Sequence, residues 1–180
     1  MQASQFLINT IFDLYLMVAM LRVWLQLVRA DFYNPVSQFV VKATNPILVP
    51  MRRLVPGFAG IDWAGVLLVF LVAFAKVVTL QLVFGQGIPW LGLAIASLIT
   101  VFSEVFDLVF WVVIIRAILS WISQGYNPIE ALLHQLTEPL LAPIRKIIPP
   151  LGGLDLSLLV FLIGLQFLQL LLNDLLSSLF

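Results

Sequence analysis

Cysteine is absent from the 180-residue chain, which excludes a disulfide framework, thiolate chemistry and Cys-x-x-Cys-His haem attachment. Charge is scarce. Lys, Arg, Asp and Glu make up 10% of the residues, whereas a soluble domain carries about 25%. Nine basic and nine acidic side chains balance, so bulk charge points to no polyanionic partner, and no direct nucleic-acid binding is expected. The one histidine, His134, falls on the polar face of a helical segment, where solvation is expected rather than haem or metal ligation. Ser, Asp and His show no arrangement for nucleophilic catalysis. Gly85-Gln86-Gly87 reads as a turn after an apolar run, not as a phosphate loop. These absences lead to the expectation of a non-enzymatic protein without cofactor or metal.

What is present is hydrophobicity: 62% of the residues, with a mean hydropathy of +1.12. A bilayer core of roughly 30 Å needs about 20 apolar residues for one helical crossing. Four stretches qualify: 6–28, 61–84, 105–122 and 154–176. Residues 1–5 carry no Lys or Arg, and the first stretch contains Asp13 and Arg22, so it is expected to be a retained span and not a cleaved signal peptide. Trp24, Trp63, Trp90, Trp111 and Trp121 mostly fall near span ends, as interfacial anchors do.

The chain repeats itself. Asn45-Pro46-Ile47-Leu48-Val49-Pro50-Met51-Arg52-Arg53-Leu54-Val55-Pro56 returns as Glu138-Pro139-Leu140-Leu141-Ala142-Pro143-Ile144-Arg145-Lys146-Ile147-Ile148-Pro149. Ile11-Phe12-Asp13 returns as Val105-Phe106-Asp107, Arg22 as Arg116, Tyr33-Asn34-Pro35 as Tyr126-Asn127-Pro128, and Gly60-Ile61-Asp62 as Gly153-Leu154-Asp155. The offset is 94 residues before the Tyr-Asn-Pro and 93 after it. A repeat fixes architecture before any other reading. It predicts an all-α polytopic membrane protein of two tandem helical-hairpin repeats, 1–87 and 104–180, joined by a hydrophobic link helix, 88–103.

Each repeat is span, connector, span. Asn34-Pro35 and Asn127-Pro128 carry the signature of a helix start, with Asn as N-cap and Pro at the first helical position. Val36, Phe39, Val40 and Ala43, and in the second copy Ile129, Leu132, Leu133 and Leu136, predict a short amphipathic interfacial helix. A second helix start is expected at Asn45-Pro46 and at Thr137-Glu138-Pro139, with Pro50 and Pro143 bending or interrupting the segment.

Lys42, Arg52 and Arg53 lie in the first connector, Arg145 and Lys146 in the second, and Arg29 at the edge of the first. The segment 85–103 and both termini have no Lys or Arg. The positive-inside rule therefore puts both connectors in the cytoplasm and both termini outside. Residues 88–102 admit two readings: a fifth crossing, which would invert the second repeat, or a helix dipping into the outer leaflet and bending near Ser103-Glu104. The run is short for a crossing, and Gly92, Ala96 and Thr100 form a row suited to helix packing, which favours the second.

Asp13, Arg22, Lys76, Asp107 and Arg116 fall inside the spans, where each charge opposes insertion by roughly 2.5–3.5 kcal/mol near the centre. Such groups need partners. Asp13 and Lys76 come to similar depths at 1.5 Å per residue and are expected to pair. Lys76 is replaced by Gln169 in the second copy, so Asp107 is expected to turn to Gln166, Gln169 or water. At the other end, Arg22 is expected to reach Asp62, and Arg116 to reach Asp155. These pairs read either as structural ties or, for Asp13 and Lys76, as the lining of an ion or proton path. The cation pairs Arg52-Arg53 and Arg145-Lys146 read either as topology and headgroup contacts or as a docking surface.

The repeated Pro-x-Leu-x-Pro-x-Arg-Arg/Lys-x-x-Pro connector, with Asp62 and Asp155 leading into the next span, resembles the YggT/YlmG family of integral membrane proteins. The resemblance covers nearly the whole chain, with both family modules in tandem. Trp63-Ala64 and Ser157-Leu158 depart from the Ser-Pro-like continuation frequent in that family. The resemblance implies a bacterial inner-membrane or thylakoid protein, with relatives tied to cell division and nucleoid organisation, to osmotic-stress tolerance, and in plastids to cytochrome b6 maturation. It carries over no catalytic or ligand residues. The expected function is a membrane scaffold or assembly factor, in contact with anionic headgroups and with a protein partner or a second copy. The alternative is a small channel or transporter for an ion or osmolyte.

Overall fold

Six helices follow one another: α1 Gln2–Leu27, α2 Pro35–Leu54, α3 Trp63–Phe84, α4 Trp90–Ile122, α5 Pro128–Ile147 and α6 Leu156–Leu179. They come from a computed structural model that describes residues 2–85, 87, 89–122, 127–148 and 155–179, without the side chains of Trp121 and 177–179. Tyr126, Pro149, Pro150, Gly153 and Leu154 of the repeat motifs, Gln86 of the turn and Ile88 of the link lie outside the described residues. Among the described residues there is no strand, only one isolated bridge between Phe58 and Ile61. The protein is all-α, and four of its helices, α1, α3, α4 and α6, are long and apolar enough to cross a membrane.

The link and the third span are one helix. α4 runs unbroken for 33 residues, about 50 Å at 1.5 Å per residue, and carries no break at Ser103-Glu104. As one continuous helix, α4 offers one candidate crossing and not two. No Gly or Pro occurs between Leu93 and Ile122 to stop the helix. Trp111 consequently lies well inside α4 and not near its end.

The connectors are also single helices. Asn34 caps α2 by accepting from the Val36 N–H at 3.0 Å, and Asn127 caps α5 by accepting from the Ile129 N–H at 2.9 Å, each with Pro at the first position. No second start occurs at Asn45 or at Thr137-Glu138. Both helices continue for 20 residues through Pro46 and Pro50, or Pro139 and Pro143. Proline removes one i→i−4 bond and crowds the preceding turn. The two prolines of each helix are four residues apart and so share a face, which lets the helix adjust on that side while the ladder survives elsewhere.

The chain divides into two compact units, Met1–Val105 and Phe106–Phe180, with the boundary inside α4. In the first, α1 packs on α3, and α2 packs on both. The α1–α3 pair is antiparallel. Asp13 meets Lys76 toward one end, and Val23 meets Gly65 toward the other, where a Cβ on Gly65 would lie 3.0 Å from Val23 Cγ2. Leu16, Ala19 and Leu25 of α1, Leu48 of α2, and Ala64 and Ala73 of α3 are buried in this contact. In the second unit α5 packs on α6, and Leu132, Leu136 and Leu141 of α5 are buried. Leu48 and its repeat counterpart Leu141 are both fully buried.

Between α2 and α3 the chain reverses in four residues. Phe58 and Ile61 exchange backbone hydrogen bonds at 3.2 and 3.1 Å, with Ala59 and Gly60 both at positive φ (55° and 78°). That is a type I′ turn, and its geometry suits Gly60 while straining Ala59. The turn brings the start of α3 back beside the end of α2.

Candidate functional site

The end of each connector helix carries the cation pair, and the two members of each pair behave differently. Arg52 donates to the Asp62 carboxylate through Nε at 3.1 Å and through Nη2, and also to Gln26 Oε1 at 3.2 Å. Arg145 donates to Asp155 through Nε at 3.0 Å and through Nη2. The following residues, Arg53 and Lys146, are exposed. Lys42 and Arg29 are exposed too.

Arg22 and Arg116 therefore do not make the expected bonds to Asp62 and Asp155. The connector arginines hold those carboxylates instead. Arg52 and Asp62 are only ten residues apart, and the 58–61 reversal delivers one to the other. Asp155 is further fixed by Ser157, whose N–H (3.1 Å) and hydroxyl both donate to Oδ1. Burial works against the Asp155 carboxylate, but the hydrogen bonds from Ser157 and Arg145 outweigh it and hold its pKa below the ordinary value. Burial likewise opposes the Arg145 cation, yet its bonds to Asp155 and Glu138 prevail and raise its pKa.

The two span arginines also differ. Both are buried. Arg116 donates to the Thr137 hydroxyl through Nη1 and lies 3.5 Å through Nη2 from Glu138 Oε2. Glu138 in turn accepts from Arg145 Nη1 at 3.0 and 2.7 Å and lies 3.3 Å from His134 Nε2. One carboxylate thus bridges two guanidiniums. Among the described residues Arg22 has no such bridge, although the Asp62 charge still acts on it. Its Nε and Nη1 are buried without a hydrogen-bond partner, and its guanidinium sits 5.3 Å from the Phe32 ring centroid. It lines a cleft of about 470 Å³ together with Gln26, Phe32, Arg52, Gly57 and Asp62.

Deeper in the first unit, Lys76 Nζ donates to Asp13 Oδ1 and lies 3.6 Å from Glu104 Oε1. In the second, Gln169 Nε2 donates to Asp107 Oδ1 at 2.9 Å, and Gln166 donates to Gln169 at 3.4 Å. Reading the sequence missed Glu104, Glu138, Thr137 and Ser157 as partners. Glu138 carried a signal, since it replaces Asn45 between two duplicated arginines. Among the described residues no His/Cys/Asp/Glu group could hold a metal ion.

The model of the CCB3/YggT family matches this chain twice, over residues 1–83 and 95–176. An uncharacterized protein of the proC 3′ region in Vibrio alginolyticus is 52% identical over 182 residues, covering 98% of this chain and 97% of the relative. The uncharacterized protein YggT of Escherichia coli K12 is 43% identical over 91% of this chain and 85% of its own length. An uncharacterized protein of Pseudomonas aeruginosa is 44% identical over 94% and 87%. No solved structure matches.

Proposed function

Because the chain belongs to the CCB3/YggT family, we propose that it is a non-enzymatic multi-pass scaffold or assembly factor whose working surface is its two basic connector helices. The division of labour within each cation pair carries this reading. Arg52 and Arg145 are held by Asp62 and Asp155, which fixes the end of each connector, while Arg53 and Lys146 stay exposed beside them. A topology signal alone needs charge but no such tie. If each of the four candidate spans crosses once, α2 and α5 fall on one side of the membrane, and the positive-inside rule supports the cytoplasmic face of a bacterial inner membrane for that side. The surface would meet anionic headgroups and a protein partner or a second copy. Roles in cell division, nucleoid organisation or osmotic-stress tolerance fit within this reading.

Pull-downs from native membranes test it. Arg53→Ala with Lys146→Ala is expected to release partners that the parent protein retains, with thermal stability unchanged. Cysteines placed at 53 and 146 in the cysteine-free chain are expected to label from the same side. Labelling from opposite sides overturns the arrangement.

A channel or transporter is the second reading, favoured by one observation: Lys76 stands between two carboxylates, Asp13 and Glu104, inside the spans. Proteoliposome flux abolished by Asp13→Asn would establish it and displace the scaffold.

A further inference from the structure

The two repeats solve the same electrostatic problem with different numbers of charges. In the second unit, Arg116 and Arg145 face Glu138 and Asp155, two cations against two anions. In the first, the counterparts are Arg22 and Arg52 against Asp62 alone, because Asn45 stands where Glu138 does. Thr44 matches Thr137, and both hydroxyls donate to the carbonyl four residues earlier, at 2.8 and 2.7 Å, but only Thr137 also accepts from an arginine. The first unit therefore lacks, beside its buried arginine, the carboxylate that Glu138 supplies in the second.

We infer that this vacancy is an anion site, and that its occupant is the phosphodiester of an acidic lipid headgroup. Arg22 is 7% exposed, and its Nε and Nη1 lack any partner among the described residues. A buried guanidinium in that state is costly unless something else supplies the acceptor. Arg22 lines two clefts, one shared with Arg52 and Gln26, the other shared with Gln38 and Lys42. The charged residues that line these two clefts are Arg22, Arg52 and Lys42 against Asp62, an excess of cations that suits a phosphate oxygen cluster. The depth suits a lipid. Arg22 lies five residues before Leu27 at the end of α1, about 8 Å along the helix, from which a long arginine side chain reaches toward headgroup level. Phe32, 42% exposed, covers the guanidinium, and a headgroup takes the place of that ring.

The inference stands whether or not the connectors dock a protein partner. Its test uses the repeat itself. Asn45→Glu gives the first unit the carboxylate that the second already has, so it fills the site from within and preserves the fold. Native mass spectrometry and thermal shift of the purified full chain are read with phosphatidylglycerol, phosphatidylcholine and inorganic phosphate. The parent protein is expected to prefer phosphatidylglycerol to phosphatidylcholine by roughly tenfold or more, the scale of two cations near an acidic headgroup. Asn45→Glu is expected to lose that preference while melting no lower than the parent. Equal retention of the two lipids by the parent, or an unchanged preference in Asn45→Glu, overturns the inference. Stabilisation by inorganic phosphate without any by phosphatidylglycerol overturns the lipid assignment.

Discussion

Asp62 lies at the start of α3, yet it is held by Arg52 in the last turn of α2, ten residues earlier. Arg145 and Asp155 repeat the same bond at the same separation. Each connector is thus closed onto the helix that follows it. Removing Asp62 leaves two guanidiniums in one cleft with no anion, whereas removing both Arg52 and Asp62 takes away one of those cations with the carboxylate. Asp62→Ala is expected to destabilise by about 2–3 kcal/mol, near the low end for a broken buried pair because Arg52 is partly exposed. A double-mutant cycle with Arg52→Ala, read by unfolding in detergent, is expected to return a coupling of about 1–2 kcal/mol. A coupling near zero would make the pair incidental.

The second copy of the clamp titrates. Hydrogen bonds from Ser157 and Arg145 overcome burial and lower the Asp155 pKa from its ordinary value of 3.8. A depressed folded-state pKa contributes stability that is fully present above the unfolded value and is lost as pH falls through the folded one. The clamp is therefore intact at neutral pH and weakens only below pH 3.8. The melting temperature of the parent protein is expected to fall more steeply than that of Asp155→Asn below that pH. Parallel curves would mean that Asp155 has no depressed pKa.

Lys76 is the centre of the deeper cluster, and the repeats suggest how it can be replaced. Asp107 is served by Gln169 at 2.9 Å, at the position equivalent to Lys76. Lys76→Gln keeps a donor for Asp13, while Lys76→Ala leaves Asp13 and Glu104 without their shared cation. The glutamine variant is expected to be more stable than the alanine variant by about 1–2 kcal/mol, the worth of a hydrogen bond to a charged group. Equal stability of the two variants, measured by unfolding in detergent, would show that Asp13 does not need a donor at that place.

The repeat made much of this legible. Identical residues at two offsets located the capping asparagines, both connector arginines and both aspartates before any geometry was known. Arg22 and Arg116 come near enough to Asp62 and Asp155 to share their charge but not to bond them, because depth along straight helices ignores what a tight turn brings back. Nothing about Ala59 signals a positive φ, and without the 58–61 reversal Arg52 has no route to Asp62. Prolines suggested helix ends at 46 and 139, but their spacing of four residues confines the disturbance to one face. The unbroken α4 was readable in principle, since residues 93–122 hold no helix-stopping Gly or Pro.

Arg29 ends α1 in a conformation that costs stability. Its φ is 52°, its N–H bonds to the Gln26 carbonyl at 3.1 Å, and the Ala30 N–H bonds to the Leu25 carbonyl at 2.9 Å. Those two bonds make a Schellman cap, whose left-handed residue is ordinarily glycine. A side chain there costs about 1–2 kcal/mol, and glycine returns part of that as extra freedom in the unfolded chain, about 0.5–1 kcal/mol. Because Arg29 also carries a charge at the connector edge, the backbone effect is isolated by comparing two uncharged residues. Arg29→Gly is expected to be more stable than Arg29→Ala by up to about 1 kcal/mol, with the same labelling topology for both. Alanine as stable as glycine would mean that α1 does not end in this cap, and the turn carrying Phe32 over Arg22 would then start from a different residue.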